Sequence, residues 1–102
     1  MLSKPQIRFA QKSLVNEEDR LALVFQALAD TTRLKIMRLL SKRKDICVTD
    51  VANIMKVSVP AASHQLKFME MAGLVKRERT GKTICYCVRR DDPFVRKLLK
   101  VI

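Results

Sequence analysis

The chain has no tryptophan, one tyrosine, one histidine and two glycines. Its three cysteines include no CxxC pair. One histidine and cysteines so spaced exclude a multi-histidine metal centre and a four-cysteine zinc site within one chain. An odd cysteine count argues against a secreted disulfide scaffold. Two glycines leave no material for a phosphate-cradling loop. No uncharged run approaches the ~20 residues that span a bilayer, and no apolar signal segment opens the chain. The expectation is a cytoplasmic product with no membrane partner. No triad and no convincing pair of carboxylates is available, so no catalytic residue and no enzyme activity is expected. Acidic residues are also scarce: 10 against 21 Lys and Arg, a formal net charge of +11 in 102 residues. With 48% hydrophobic and 30% charged residues the chain reads as one globular domain, not a disordered basic tail.

The positive charge is densest around Lys76-Arg77-Glu78-Arg79 and Lys82, with Arg89-Arg90 beyond and a second cluster at Lys42-Arg43-Lys44. Any one cluster reads as an ordinary solvated face. The excess over the whole chain points to a polyanion, with nucleic acid the first candidate.

Apolar periodicity places the elements. Residues 1–15, with Pro5 and weak periodicity, read as an N-terminal arm or short helix. From about Asn16 the pattern is helical, with Glu17, Glu18 and Asp19 in the first turn and an apolar stripe of Leu21, Val24, Phe25 and Leu28. Asp30 suits the N-cap of a second helix, with Leu34, Met37 and Leu40 inward and Arg33, Lys35 and Arg38 outward. Ser41 to Asp45 is a polar linker, and Ile46-Cys47-Val48 a short β-prone patch. A third helix carries Val51, Ile54 and Met55. After a tight connection at Lys56-Val57, Ser58 caps a fourth helix with Pro60 in its first turn, ending at Gly73. A hairpin turning at Thr80-Gly81-Lys82 follows, its return arm alternating Ile84, Tyr86 and Val88 against Cys85 and Cys87. Asp92 caps a last helix bearing Phe94, Leu98 and Leu99. The expected fold is mainly α with a small β-wing, about five helices and a two- to three-stranded antiparallel sheet: a winged helix-turn-helix over residues 16–102.

On the fourth helix, Ala62, Leu66, Met69 and Gly73 share one side, and Pro60, Ser63, His64 and Lys67 the other, with Gln65 at its edge. The second side is polar without a carboxylate, as a helix in the major groove requires. A plain solvent-exposed face usually mixes both signs. Phe68, off both sides, reads as packing against a neighbouring helix.

Two motifs carry a family resemblance. Ala27-Leu28-Ala29-Asp30-Thr31-Thr32-Arg33-Leu34-Lys35-Ile36-Met37 resembles the "ALADPTRLRIL" opening of ArsR/SmtB transcriptional repressors. Ser58 to Met69 (SVPAASHQLKFM) resembles their "SQSAVSHHLKVL" recognition helix, and Ala72-Gly73-Leu74-Val75, Gly81 and Tyr86 extend the match. The resemblance spans about residues 20 to 90. It implies a homodimeric repressor on double-stranded DNA, dimerising through its first and last helices, here the Leu21–Leu28 and Phe94–Leu99 stripes. It also implies DNA contacts at Ser58, Val59, Ala61, Ser63, His64 and Gln65, to which the charge pattern adds Lys67 and the wing residues Lys76, Arg79 and Lys82. Val59 replaces a common glutamine and keeps only an apolar contact, such as a thymine methyl.

Many members bind metal or metalloid through "ELCVCDL"; here Asp45-Ile46-Cys47-Val48-Thr49-Asp50-Val51 keeps one thiol, and the last helix has no histidine for the family's other common site. Cys85 and Cys87 share a strand face, and the Ile46-Cys47 patch commonly pairs with that strand in this fold. Cys47, Cys85 and Cys87 therefore stand as candidate effector-sensing residues. Three thiolates suit As(III), Sb(III) or a soft cation; two suit a reversible disulfide, with Lys82, Arg89 and Arg90 expected to lower a thiol pKa. The alternative is that each cysteine is a small hydrophobe. For the whole chain, a sequence-specific DNA-binding regulator on an inverted repeat is the leading reading. The competitor is a basic winged-helix module for RNA or a protein partner, without sensing.

Overall fold

The computed structural model describes residues 1–15, 18–44 and 46–102, leaving aside the side chains of residues 15, 18 and 19. Six helices and one hairpin follow in order: α1 (Lys4–Val15), α2 (Glu18–Ala29), α3 (Thr31–Lys42), α4 (Val48–Met55), α5 (Val59–Met71), β1 (Val75–Thr80), β2 (Thr83–Val88) and α6 (Pro93–Leu99). The helix start expected near Asn16, its Glu17–Asp19 carboxylates and the linker residue Asp45 lie outside what is described. The N-terminal stretch is a regular helix, so the helices among the described residues number six where about five were expected.

The caps explain the boundaries. Asp30 accepts from the backbone N–H groups of Thr32 at 2.8 Å and Arg33 at 3.2 Å. Ser58 Oγ accepts from Ala61 N–H at 3.1 Å, with Pro60 at the start of α5. Asp92 accepts from Phe94 N–H at 2.9 Å. Each satisfies a donor that no helix carbonyl reaches. Asp50 Oδ2 accepts from Cys47 N–H at 2.9 Å, reaching back from the first turn of α4. Lys56 takes a left-handed conformation (φ 57°) at the end of α4, which turns the chain into α5 within three residues.

The core gathers Val24 and Ala27 from α2, Ile36, Met37 and Leu40 from α3, Val51 and Ala52 from α4, Ala62, Leu66 and Met69 from α5, and Tyr86 and Val88 from β2. Burying a side chain the size of Leu66 or Met69 is worth about 1.5–3 kcal/mol over leaving it exposed. The stripe expected on α2 divides: Val24 is fully buried, while Leu21 and Phe25 are 43% and 60% exposed. On α6 the residue that enters the core is Val95, with Phe94, Leu98 and Leu99 partly buried around it. All described side chains of α1 are exposed, Ile7, Phe9 and Leu14 among them, and the molecule is 59 Å long.

The sheet has two antiparallel strands, with Val75 opposite Val88 and Thr80 opposite Thr83 across Gly81-Lys82. Gly81 has φ 64°, a value that favours glycine. Among the described residues, the Ile46-Cys47 patch adds an isolated bridge, Cys47 opposite Cys85, where a third strand was expected as one possibility. This is the winged helix-turn-helix arrangement.

Candidate nucleic-acid interface

Helix α5 buries Ala62, Leu66 and Met69 and leaves Ser58, Val59, Pro60, Ala61, His64 and Lys67 exposed, with Ser63 half-buried. The burial divides the helix in this way as far as Met69; beyond it Glu70 is half-buried and Met71 is exposed. The open side presents a hydroxyl, an imidazole and an ammonium, and the first turn holds no acidic residue. Lys76, Arg79 and Lys82 are exposed on the hairpin, where Arg79 Nε donates to Gly81 O at 3.2 Å and steadies the turn.

Gln65 sits differently from its neighbours. It is half-buried, and its Oε1 accepts from Arg33 Nη1 at 3.1 Å. Arg33 itself does not point outward as expected. It is half-buried, donates from Nε to Ala27 O at 2.7 Å, and lies 4.3 Å from the centroid of the Phe68 ring. Sequence reading missed Arg33 as a partner of α5; the signal was a cation in the first turn of α3, the unfavourable end of the helix dipole.

The cysteines divide two and one. Cys47 and Cys85 are joined as a disulfide, their Cα atoms 3.8 Å apart. Cys87 is free, half-buried, and its Sγ lies 3.4 Å from Glu78 Oε1. Burial pushes the Cys87 thiol pKa up, and the hydrogen bond to Glu78 adds to the rise. The expected lowering by basic neighbours is overturned for this thiol, because Glu78 and desolvation outweigh Lys76. Among the described residues, no three His, Cys, Asp or Glu side chains are grouped to hold a metal ion. In this form Cys47 and Cys85 are bonded to each other and Cys87 faces Glu78.

An exposed polar helix held by a tight helix-turn-helix, beside a basic hairpin, defines the winged helix-turn-helix class. A family model described as "Bacterial regulatory protein, arsR family" matches residues 30–77. A cadmium resistance transcriptional regulatory protein CadC homolog from Staphylococcus aureus is 36% identical over 100 residues, covering 97% of this chain and 81% of that protein. A transcriptional repressor SmtB homolog from Synechocystis is 40% identical over 79% of this chain, which spans 62% of that protein's length. The homodimeric winged helix-turn-helix DNA-binding domain of a possible ArsR-family regulator from Mycobacterium bovis superposes with a TM-score of 0.74 at 26% identity, covering 89% of this chain and 79% of that one. The chain belongs to the arsR family of bacterial regulatory proteins.

Proposed function

We propose that this regulator is a repressor that binds an inverted-repeat operator as a homodimer and is released by a thiol-directed effector. The observation that carries the DNA reading is the open side of the N-terminal turns of α5, where Ser63, His64 and Lys67 stand beside the basic wing and the first turn holds no carboxylate. Ser58, Val59, Ala61, Ser63, His64 and Gln65 read the major groove, and Lys67, Lys76, Arg79 and Lys82 hold phosphates. Two recognition helices about one DNA turn (~34 Å) apart set the half-site spacing. The apolar stripes of α2 and α6, with the exposed apolar residues of α1 beside them, supply the dimer face; a structural relative of this fold is homodimeric.

Cys47 and Cys85 support the sensing half. Their bond ties the first residue before α4 to the wing, the two parts that position α5 and the phosphate contacts. In a reducing compartment the pair rests as two thiols. A peroxide takes two electrons and two protons from them, leaving one disulfide and two molecules of water per H₂O₂. Two relatives are named for cadmium and arsenical resistance, and both cadmium and trivalent arsenic are thiol-seeking.

The test begins with a duplex selected by the protein from a random pool. Ser63→Ala with His64→Ala is expected to abolish preference for that duplex over a scrambled one. Unchanged affinity and preference would sink the recognition assignment, and a wild type that selects no duplex would favour an RNA or protein partner. Peroxide is expected to change affinity in the wild type and not in Cys47→Ser. Loss of binding with arsenite alone, or no response to either, would remove the redox reading.

A further inference from the structure

Arg33 occupies a position that local helix rules disfavour. It is the third residue of α3, where a cation opposes the positive end of the helix dipole. Its guanidinium leaves α3 and turns to the other side of the one-residue junction at Asp30. Nε donates to Ala27 O at 2.7 Å and Nη2 to Gln26 O at 3.4 Å. Both acceptors belong to the last turn of α2, where carbonyls have no helical partner and the dipole favours a cation. Helix α2 has no basic residue of its own there. Arg33 therefore caps α2 from outside.

The same guanidinium reaches α5. Nη1 donates to Gln65 Oε1 at 3.1 Å, and its carbon lies 4.3 Å from the Phe68 ring centroid. Gln65 and Phe68 are three residues apart, so both lie on one side of α5. A planar fork that bonds α2 through two donors and α5 through a third fixes the roll of α5 about its axis. Arginine has donors only, so the Gln65 atom that faces it is the carbonyl oxygen. The amide nitrogen is turned away from Arg33.

We infer that Arg33 is a positioning residue for sequence discrimination: it sets the roll of α5 and holds the Gln65 amide with its oxygen inward. Gln65 then offers donors to a base edge, not the donor–acceptor pair that adenine takes from a free glutamine. This rests on α5 being the base-reading helix. Arg33 touches no base in this scheme and acts through Gln65 and Phe68.

The experiment compares the selected duplex with a scrambled duplex of the same composition, by fluorescence anisotropy across a salt series. Arg33→Lys keeps the charge without the fork; Arg33→Met keeps an unbranched chain over Phe68; Gln65→Leu leaves the Arg33 bonds to α2 intact. All three are expected to lose ~10-fold in the selected-to-scrambled affinity ratio, with the salt slope of Arg33→Lys unchanged. Adding Gln65→Leu to Arg33→Met is expected to cost little more, as for two members of one contact. A wild-type-like Arg33→Lys beside an Arg33→Met that weakens on both duplexes, with a smaller salt slope, would make Arg33 a phosphate contact and overturn the inference. Equal losses on both duplexes with lowered Tm would reduce it to a fold contact, and unchanged ratios would also overturn it. If those ratios hold while Ser63→Ala with His64→Ala loses its own, only the Arg33 inference falls.

Discussion

Cys87 shows how far a residue's chemistry is set by its partner across the hairpin. Glu78 stands on β1 and its carboxylate accepts from the thiol. Burial and that hydrogen bond both favour the protonated form, and the thiolate is the reactive species. In the oxidised protein Cys87 is the free thiol, so its alkylation can be followed alone. It is expected to react with iodoacetamide at pH 7.5 more slowly than free cysteine, and Glu78→Gln to speed the reaction severalfold. A Cys87 faster than free cysteine would contradict the placement of Glu78. The sequence made the cysteine spacing and the shared strand face legible, since period-two alternation fixes both. It did not reveal which thiol pairs with Cys47, because that depends on register. Nor did it disclose that an acid inside the basic run Lys76–Arg79 would face Cys87. Gln65 was legible as a DNA-contact candidate and Arg33 as a cation at the wrong end of a helix, but their contact with each other, across 32 residues of chain, has no local signature.

At the scale of elements, the caps and the apolar periodicity gave nearly every boundary in advance, because each rests on residues within one or two turns. What periodicity did not divide was the α2 stripe, since Leu21 and Phe25 look as apolar as Val24 and differ only in what covers them. Two arginines then lock elements together. Arg33 joins α2 to α5, and Arg20 of α2 pairs with Asp92, the cap of α6, while lying 5.1 Å from the Phe94 ring centroid. The Arg20 hydrogen bond holds the Asp92 carboxyl below the usual carboxylate range, with the Phe94 N–H assisting. A depressed folded-state pKa stabilises the fold above the unfolded value of ~3.9, and the gain is lost as pH falls through the folded value. The Tm is therefore expected to drop on acidification below about pH 4, and Asp92→Asn, which still caps α6, to flatten that part of the curve. An acid limb identical in the variant would remove the Arg20–Asp92 pair from the account. The turn between α4 and α5 carries its own test. Lys56 at φ 57° is a side-chain-bearing residue in the left-handed region. Lys56→Gly is expected to raise stability by about 0.5–1 kcal/mol in urea titration, if the relief of strain exceeds the added freedom of the unfolded chain. A loss of similar size would show that the Lys56 side chain contributes contacts instead.

For the whole molecule, two features lie outside the single-chain core: the net charge of +11 and the apolar residues of α1 and α2 left in water. Ile7, Phe9 and Leu14 on α1, with Leu21 and Phe25 on α2, keep much of their surface exposed in one copy. A second copy that covers them also doubles the recognition helices and the basic wings presented to one duplex. Dimerisation and DNA affinity should therefore fail together. Phe25→Glu places a charge in that face and is expected to shift the protein from dimer to monomer by light scattering at micromolar concentration. Its binding to the selected duplex should become weaker and less steep in salt, because a monomer neutralises about half the phosphates. Each phosphate contact contributes about 0.9 to the slope of log K against log salt. A dimer that engages about six to ten phosphates loses roughly 10³–10⁵ in affinity between 50 and 200 mM salt, and a monomer far less. A variant that stays dimeric would move the interface away from α2. A monomeric variant that keeps the full salt slope would show that one copy alone carries the phosphate contacts, and the inverted-repeat geometry would lose its physical basis.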